Sequence, residues 1–89
     1  MVGTVSKVEP EVCTYIDPQE NSLTIEIILP GAHKNSIKLK VNSRCLLVYA
    51  ASDSVNYAKY LSFKDPVAAE QAKAEYEHDI LRITVPLRA

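Results

Sequence analysis

The chain has no tryptophan, one phenylalanine, one methionine, two cysteines and two glycines among 89 residues. Each shortage excludes something. With glycine only at Gly3 and Gly31, no glycine-rich loop can cradle a phosphate, and neither a P-loop nor a dinucleotide fingerprint can be written. The patterns G-x-S-x-G and H-E-x-x-H are missing too, so the usual hydrolase nucleophile and zincin ligands are lacking. No apolar run approaches the ~20 residues of a membrane-spanning helix. The first residues hold neither an apolar signal core nor an arginine-rich presequence. A cytoplasmic chain without a membrane partner is the expectation. A net charge of −1 gives no overall basic footprint, so no nucleic-acid partner is expected.

Cys13 and Cys45 do not make a disulfide framework. Both lie in apolar, strand-like runs and read as buried thiols. A zinc site from Cys13, His33, Cys45 and His78 has none of the usual paired-ligand spacings, and no metal or other cofactor is expected. His33 reads as a solvated loop histidine. Glu75 and Glu77 share one strand face beside Lys73, which is a solvated surface before it is an acid–base pair; the chain reads as a non-enzyme. The five tyrosines, at positions 15, 49, 57, 60 and 76, read as strand packing, because a base-stacking platform comes with a basic groove.

What the sequence has is alternation. Residues 1–10 are polar and without periodicity, a tail or the remnant of an N-terminal arm, and residues 11–89 form one domain. Val12 to Ile16 is a short β-branched and aromatic run, closed by the turn composition of Asp17–Asn21. Ser22 to Leu29 is the clearest strand, with Leu23, Ile25, Ile27 and Leu29 on one face and Thr24 and Glu26 on the other. Ile28 interrupts the polar face and fits either local cover or a partner contact. Pro30-Gly31 ends this strand. Further strands follow at Ser36–Val41, Cys45–Ala51 and Tyr57–Phe63, then a helical turn within Val67–Gln71. Ala72–Pro86 reads as a hairpin around a three-residue polar turn, with Leu81, Ile83 and Val85 inward and Arg82 and Thr84 outward. Strands at this spacing, with turn signals between them, give an all-β antiparallel β-sandwich.

The elements also resemble the α-crystallin domain of the small heat-shock (Hsp20) proteins. Ile25 to Leu29 followed by Pro30-Gly31 looks like the family's strand ending in L-P-G, and Ile37-Lys38-Leu39-Lys40-Val41 like its I-x-V-x-V. Cys45–Ala50 is similar to V-L-V-I-S-G, and Ala72–Pro86 to A-x-A-x-Y-x-N-G-V-L-T-V-x-V-P. Asp79 and Ala50 stand where the family has glycine. The resemblance implies an immunoglobulin-like sandwich and an ATP-independent holdase that binds partly unfolded client proteins. It implies a client groove lined by Leu39, Val41, Ile83 and Val85, with Lys38, Lys40 and Arg82 as its rim; the same aliphatics serve equally well as core. Ser52–Asn56 is too short for the strand-exchange insertion of microbial and plant members. Self-association is therefore expected as a dimer through an edge containing Tyr57, Lys59, Tyr60 and Leu61. The I-x-I/V tail motif is missing after Pro86, so a large cage is not expected, and the chain reads as an excised domain or a member that builds none. Two rival readings are a CS/p23-like co-chaperone or adaptor domain, disfavoured by the lack of tryptophan, and a structural sandwich module of a larger protein.

Overall fold

The structure is a computed structural model that describes residues 6–88. Eight strands form two four-stranded sheets packed face to face. They are β1 (Ser6–Val8), β2 (Glu11–Asp17), β3 (Ser22–Ile28), β4 (Lys38–Val41), β5 (Cys45–Ala51), β6 (Val55–Ser62), β7 (Lys73–Glu77) and β8 (Ile80–Pro86). The first sheet runs β1-β6-β5-β4 and the second β2-β3-β8-β7. All pairings are antiparallel except β1 with β6, where Ser6, Lys7 and Val8 lie beside Val55, Asn56 and Tyr57. The stretch before Pro10, without periodicity of its own, thus adds a strand; residues 1–5 lie outside the described residues.

The core follows from period-two alternation. In the second sheet Ile25 pairs with Ile83 and Ile27 with Leu81. From the first sheet Leu46 and Val48 meet them, and all of these except the nearly buried Leu81 are sealed from solvent. Thr24 points to the outer face but is buried, because Tyr15 and Thr84 flank it across the strands. Ile28 finds local cover of the same kind, as the cross-strand partner of Ile80. No buried side-chain polar atom among the described residues lacks a hydrogen-bond partner.

One corner is tied with particular care. The turn between β7 and β8 is two residues long, not three, since Glu77 pairs with Ile80. His78 and Asp79 both have positive φ, 53° and 66°, the twist that a two-residue hairpin favours and that Asn-Gly normally supplies. Non-glycine residues there cost about 1–2 kcal/mol each. The contacts of Asp79 offset that cost. Its carbonyl accepts from the Leu29 amide at 2.8 Å, and its Oδ1 accepts from the Gly31 amide at 3.2 Å. The Tyr76 hydroxyl donates to the Leu29 carbonyl at 2.7 Å, and Tyr57 donates to the Pro30 carbonyl at 2.7 Å. Gly31 itself sits at φ 70°. Leu29-Pro30-Gly31 and the closing hairpin, distant in sequence, are one clamp.

Candidate functional site

The two sheets share two long sides, β4 and β7 forming one and β2 with β6 the other. Ile83 and Val85 do not reach either. β8 is an interior strand, with β7 between it and the edge, and both residues are fully buried. They are core, not groove lining. Leu39 and Val41 are half-buried on the edge strand β4. Lys38 and Lys40 point the other way, across the outer face of the first sheet. Arg82 lies on the outer face of the second sheet, where Glu26 holds it at 2.8 Å and Glu75 stands 3.9 Å away; the Glu26 carboxylate raises its pKa. The expected rim is therefore split between opposite faces of the molecule.

The β2/β6 side is divided along its length. Its upper half is closed by β1 and by the crossover through the buried Pro10. Lys59 Nζ and Glu9 Oε1 fasten this crossover at 2.7 Å, and Lys59 holds the Glu9 carboxyl below its ordinary pKa. Of the expected dimer edge, Tyr57 is buried beneath this cover and Lys59 is spent on it. Tyr60 and Leu61 lie farther along, where β1 has ended. There, among the described residues, neither β2 nor β6 from Ala58 to Ser62 has an outer neighbour.

Between those two open edges lies a cleft of about 470 Å³. Ile16, Leu23, Leu61, Phe63 and Leu87 give it apolar walls, with Tyr15, Lys64 and Asp65 at its mouth. Ile16, an inward position of β2, is 53% exposed, a large apolar group that a closed sandwich would cover. The alternation of Val12–Ile16 shows which side chains point inward, but not that β2 ends its sheet. That depends on pairing between distant segments.

Neither cysteine is buried. Cys13 is exposed and Cys45 half-buried, because both occupy outward positions of their strands, opposite Glu26 and Ser62. His33 is exposed and bonded to Asp53 at 2.7 Å. Glu75 and Glu77 are exposed on the outer face of β7. No group of three potential metal ligands occurs among the described residues, and no helix there is long and apolar enough to cross a membrane.

No family model and no curated protein matches the sequence. Solved structures do match the fold. HSP18.5 from E. histolytica superposes with a TM-score of 0.83 at 14% identity, over 92% of this chain and 90% of that one. Heat shock protein 16.0 from Schizosaccharomyces pombe gives 0.79 at 13% identity, over 92% and 68%. The hspA protein of Xanthomonas axonopodis gives 0.77 at 18% identity, over 91% and 95%. The fold is that of the small heat-shock proteins. Within this α-crystallin-type sandwich the β5–β6 connection is a tight hairpin. Ser52 and Val55 close it with an amide-to-carbonyl bond of 2.8 Å, and the Ser52 hydroxyl oxygen accepts from the Val55 amide at 3.0 Å. No strand is inserted there.

Proposed function

We propose that this chain is a small heat-shock protein acting as an ATP-independent holdase, which captures extended segments of partly unfolded proteins and prevents their aggregation. The observation that carries the reading is the β2/β6 cleft. An apolar wall flanked by two strand edges suits an extended segment, since the edge supplies backbone hydrogen bonds while alternate side chains enter the cleft. Hydrophobic side chains exposed by a misfolding client then exchange water for Ile16, Leu61 and Phe63. Leu39 and Val41 on the β4 edge offer a second, shallower strip, with Ile83 and Val85 supporting it from within the core. Self-association as a dimer would use the open stretch of β6 at Tyr60 and Leu61, in the cytoplasm and without a cofactor.

The test is light scattering from a heat-labile protein. Suppression of aggregation at molar excess of this chain is expected, and unchanged scattering would overturn the holdase reading. In sedimentation, monomer or dimer is expected; a large cage would contradict the dimer assignment.

A further inference from the structure

The outer face of the first sheet carries an arrangement that the holdase reading does not use. Its two central strands, β6 and β5, each present an exposed tyrosine, Tyr60 at 61% and Tyr49 at 49%. Register sets Tyr49 opposite Ala58 and Leu47 opposite Tyr60, so the two rings are diagonal neighbours, about 7 Å apart at their bases. The half-buried Leu47 lies between them. The Cys45 thiol donates to Asn42 Oδ1 at 3.4 Å, and its proximity raises the pKa of Tyr60.

The flanking strands supply cations. On β4, Lys38 stands beside Tyr49 and Lys40 beside Leu47. On β1, Lys7 stands beside Asn56, which shares the outer face with Ala58 and Tyr60. No acidic residue occupies an outward position of these four strands. No carboxylate among the described residues pairs with Lys7, Lys38 or Lys40. The other sheet's outer face carries Glu11, Glu26, Glu75 and Glu77 against Lys73 and Arg82. A net charge near zero therefore conceals a basic face and an acidic one.

We propose that the outer face of the first sheet binds single-stranded nucleic acid, with Tyr49 and Tyr60 stacking neighbouring bases and Lys38, Lys40 and Lys7 facing the phosphates. Two exposed aromatic rings on adjacent strands of one sheet face suit the stacking of bases. Lysines on both flanks, with no acid between them, provide the attraction that tracks the backbone. A duplex is disfavoured because its bases are already stacked on each other. An acidic peptide would use the lysines but has no need of the tyrosines, and this difference decides the experiment.

The experiment is fluorescence anisotropy of a labelled oligothymidylate or oligouridylate of about twelve nucleotides, titrated with the full chain at about 50 mM salt. Saturable binding is expected, with weaker binding of a duplex of the same length. Tyr49→Ala and Tyr60→Ala should each weaken it about 5- to 100-fold, while Tyr60→Phe, which keeps the ring, should bind like the parent. Lys38→Gln combined with Lys40→Gln should reduce the slope of log affinity against log salt by about 1.4. Circular dichroism of each variant should match the parent, since all four side chains lie outside the core. No binding at high micromolar protein would overturn the proposal. So would unchanged affinity in a correctly folded Tyr49→Ala/Tyr60→Ala variant, or displacement by polyglutamate as effective as by unlabelled oligonucleotide; the last result would mark a docking face for acidic protein segments, a second copy's acidic face included.

Discussion

The Leu29–Gly31 corner and the β2/β6 cleft lie toward opposite ends of β3 and are built on opposite principles. At the corner, polar groups meet: the Asp79 carbonyl and carboxylate, the Tyr76 and Tyr57 hydroxyls and three successive residues of a turn are bonded to one another at 2.7–3.2 Å. At the cleft, apolar side chains stand exposed beside backbone edges that have no neighbour among the described residues. The corner is satisfied and the cleft is not. The residues that most resemble a known family sit at the satisfied end, where they hold the sandwich together. The site proposed for an extended chain lies where the sequence carries no motif.

Substitutions can separate the two kinds of region. The largest effect is expected at the core. Ile83→Ala should cost about 2–5 kcal/mol of stability, read as a lower denaturant midpoint, whereas Leu39→Ala on the half-buried edge should cost distinctly less. Equal losses would mean that Ile83 is not core. Next comes the clamp. Tyr76→Phe removes the 2.7 Å donor to the Leu29 carbonyl, which keeps the Ala32 amide at 3.2 Å, and should cost about 0.5–1.5 kcal/mol. Asp79→Ala keeps the left-handed strain while losing the bond to Gly31 and should destabilise, and Asp79→Gly, which relieves the strain, should recover part of that loss. At the cleft the order of effects reverses. Ile16→Ser should change stability by no more than about 0.5 kcal/mol yet reduce suppression of client aggregation, a result that a Tyr76→Phe protein measured well below its melting point should not show.

The smallest effect concerns the boundary between closed and open halves of the β2/β6 side. Lys59 depresses the Glu9 pKa, so their contact is present above the ordinary glutamate value and is lost as pH falls through the lowered one. Glu9 is exposed beside the half-buried Lys59, and global stability should barely respond. Amide protection of Lys7 and Val8, corrected for intrinsic exchange, should fall on acidification and in Glu9→Gln at neutral pH. Protection of Leu29 should not change in Glu9→Gln; a parallel loss there would mean that the crossover is not a local latch.

Much of the fold was legible because it depends on local alternation. Ser22–Ile28, Cys45–Ala51 and Ile80–Pro86 expose their buried faces in the order of their residues, and the core positions Ile25, Leu46 and Leu81 follow directly. The positive φ at Asp79 was legible too, from the glycine that the family resemblance expects there. The candidate client site was less so. Whether Ile83 lines an edge or a core depends on β7 lying outside β8, a fact of long-range pairing that one strand's sequence does not carry. Whether Cys13 is buried depends on which sheet face Glu26 occupies. The Tyr49–Tyr60 pair was hidden for a different reason: net charge averages over both faces, and only the register separates the lysines of β4 from the glutamates of β7.

The central claim is that an extended client lies in the β2/β6 cleft. Hydrogen exchange of the full chain, with and without a partly unfolded client, tests it most directly. Protection should rise at Thr14–Ile16 and at Leu61–Phe63, with the Leu29–Gly31 corner unchanged; protection confined to Lys38–Val41, with the cleft exchanging as in the free protein, would contradict it.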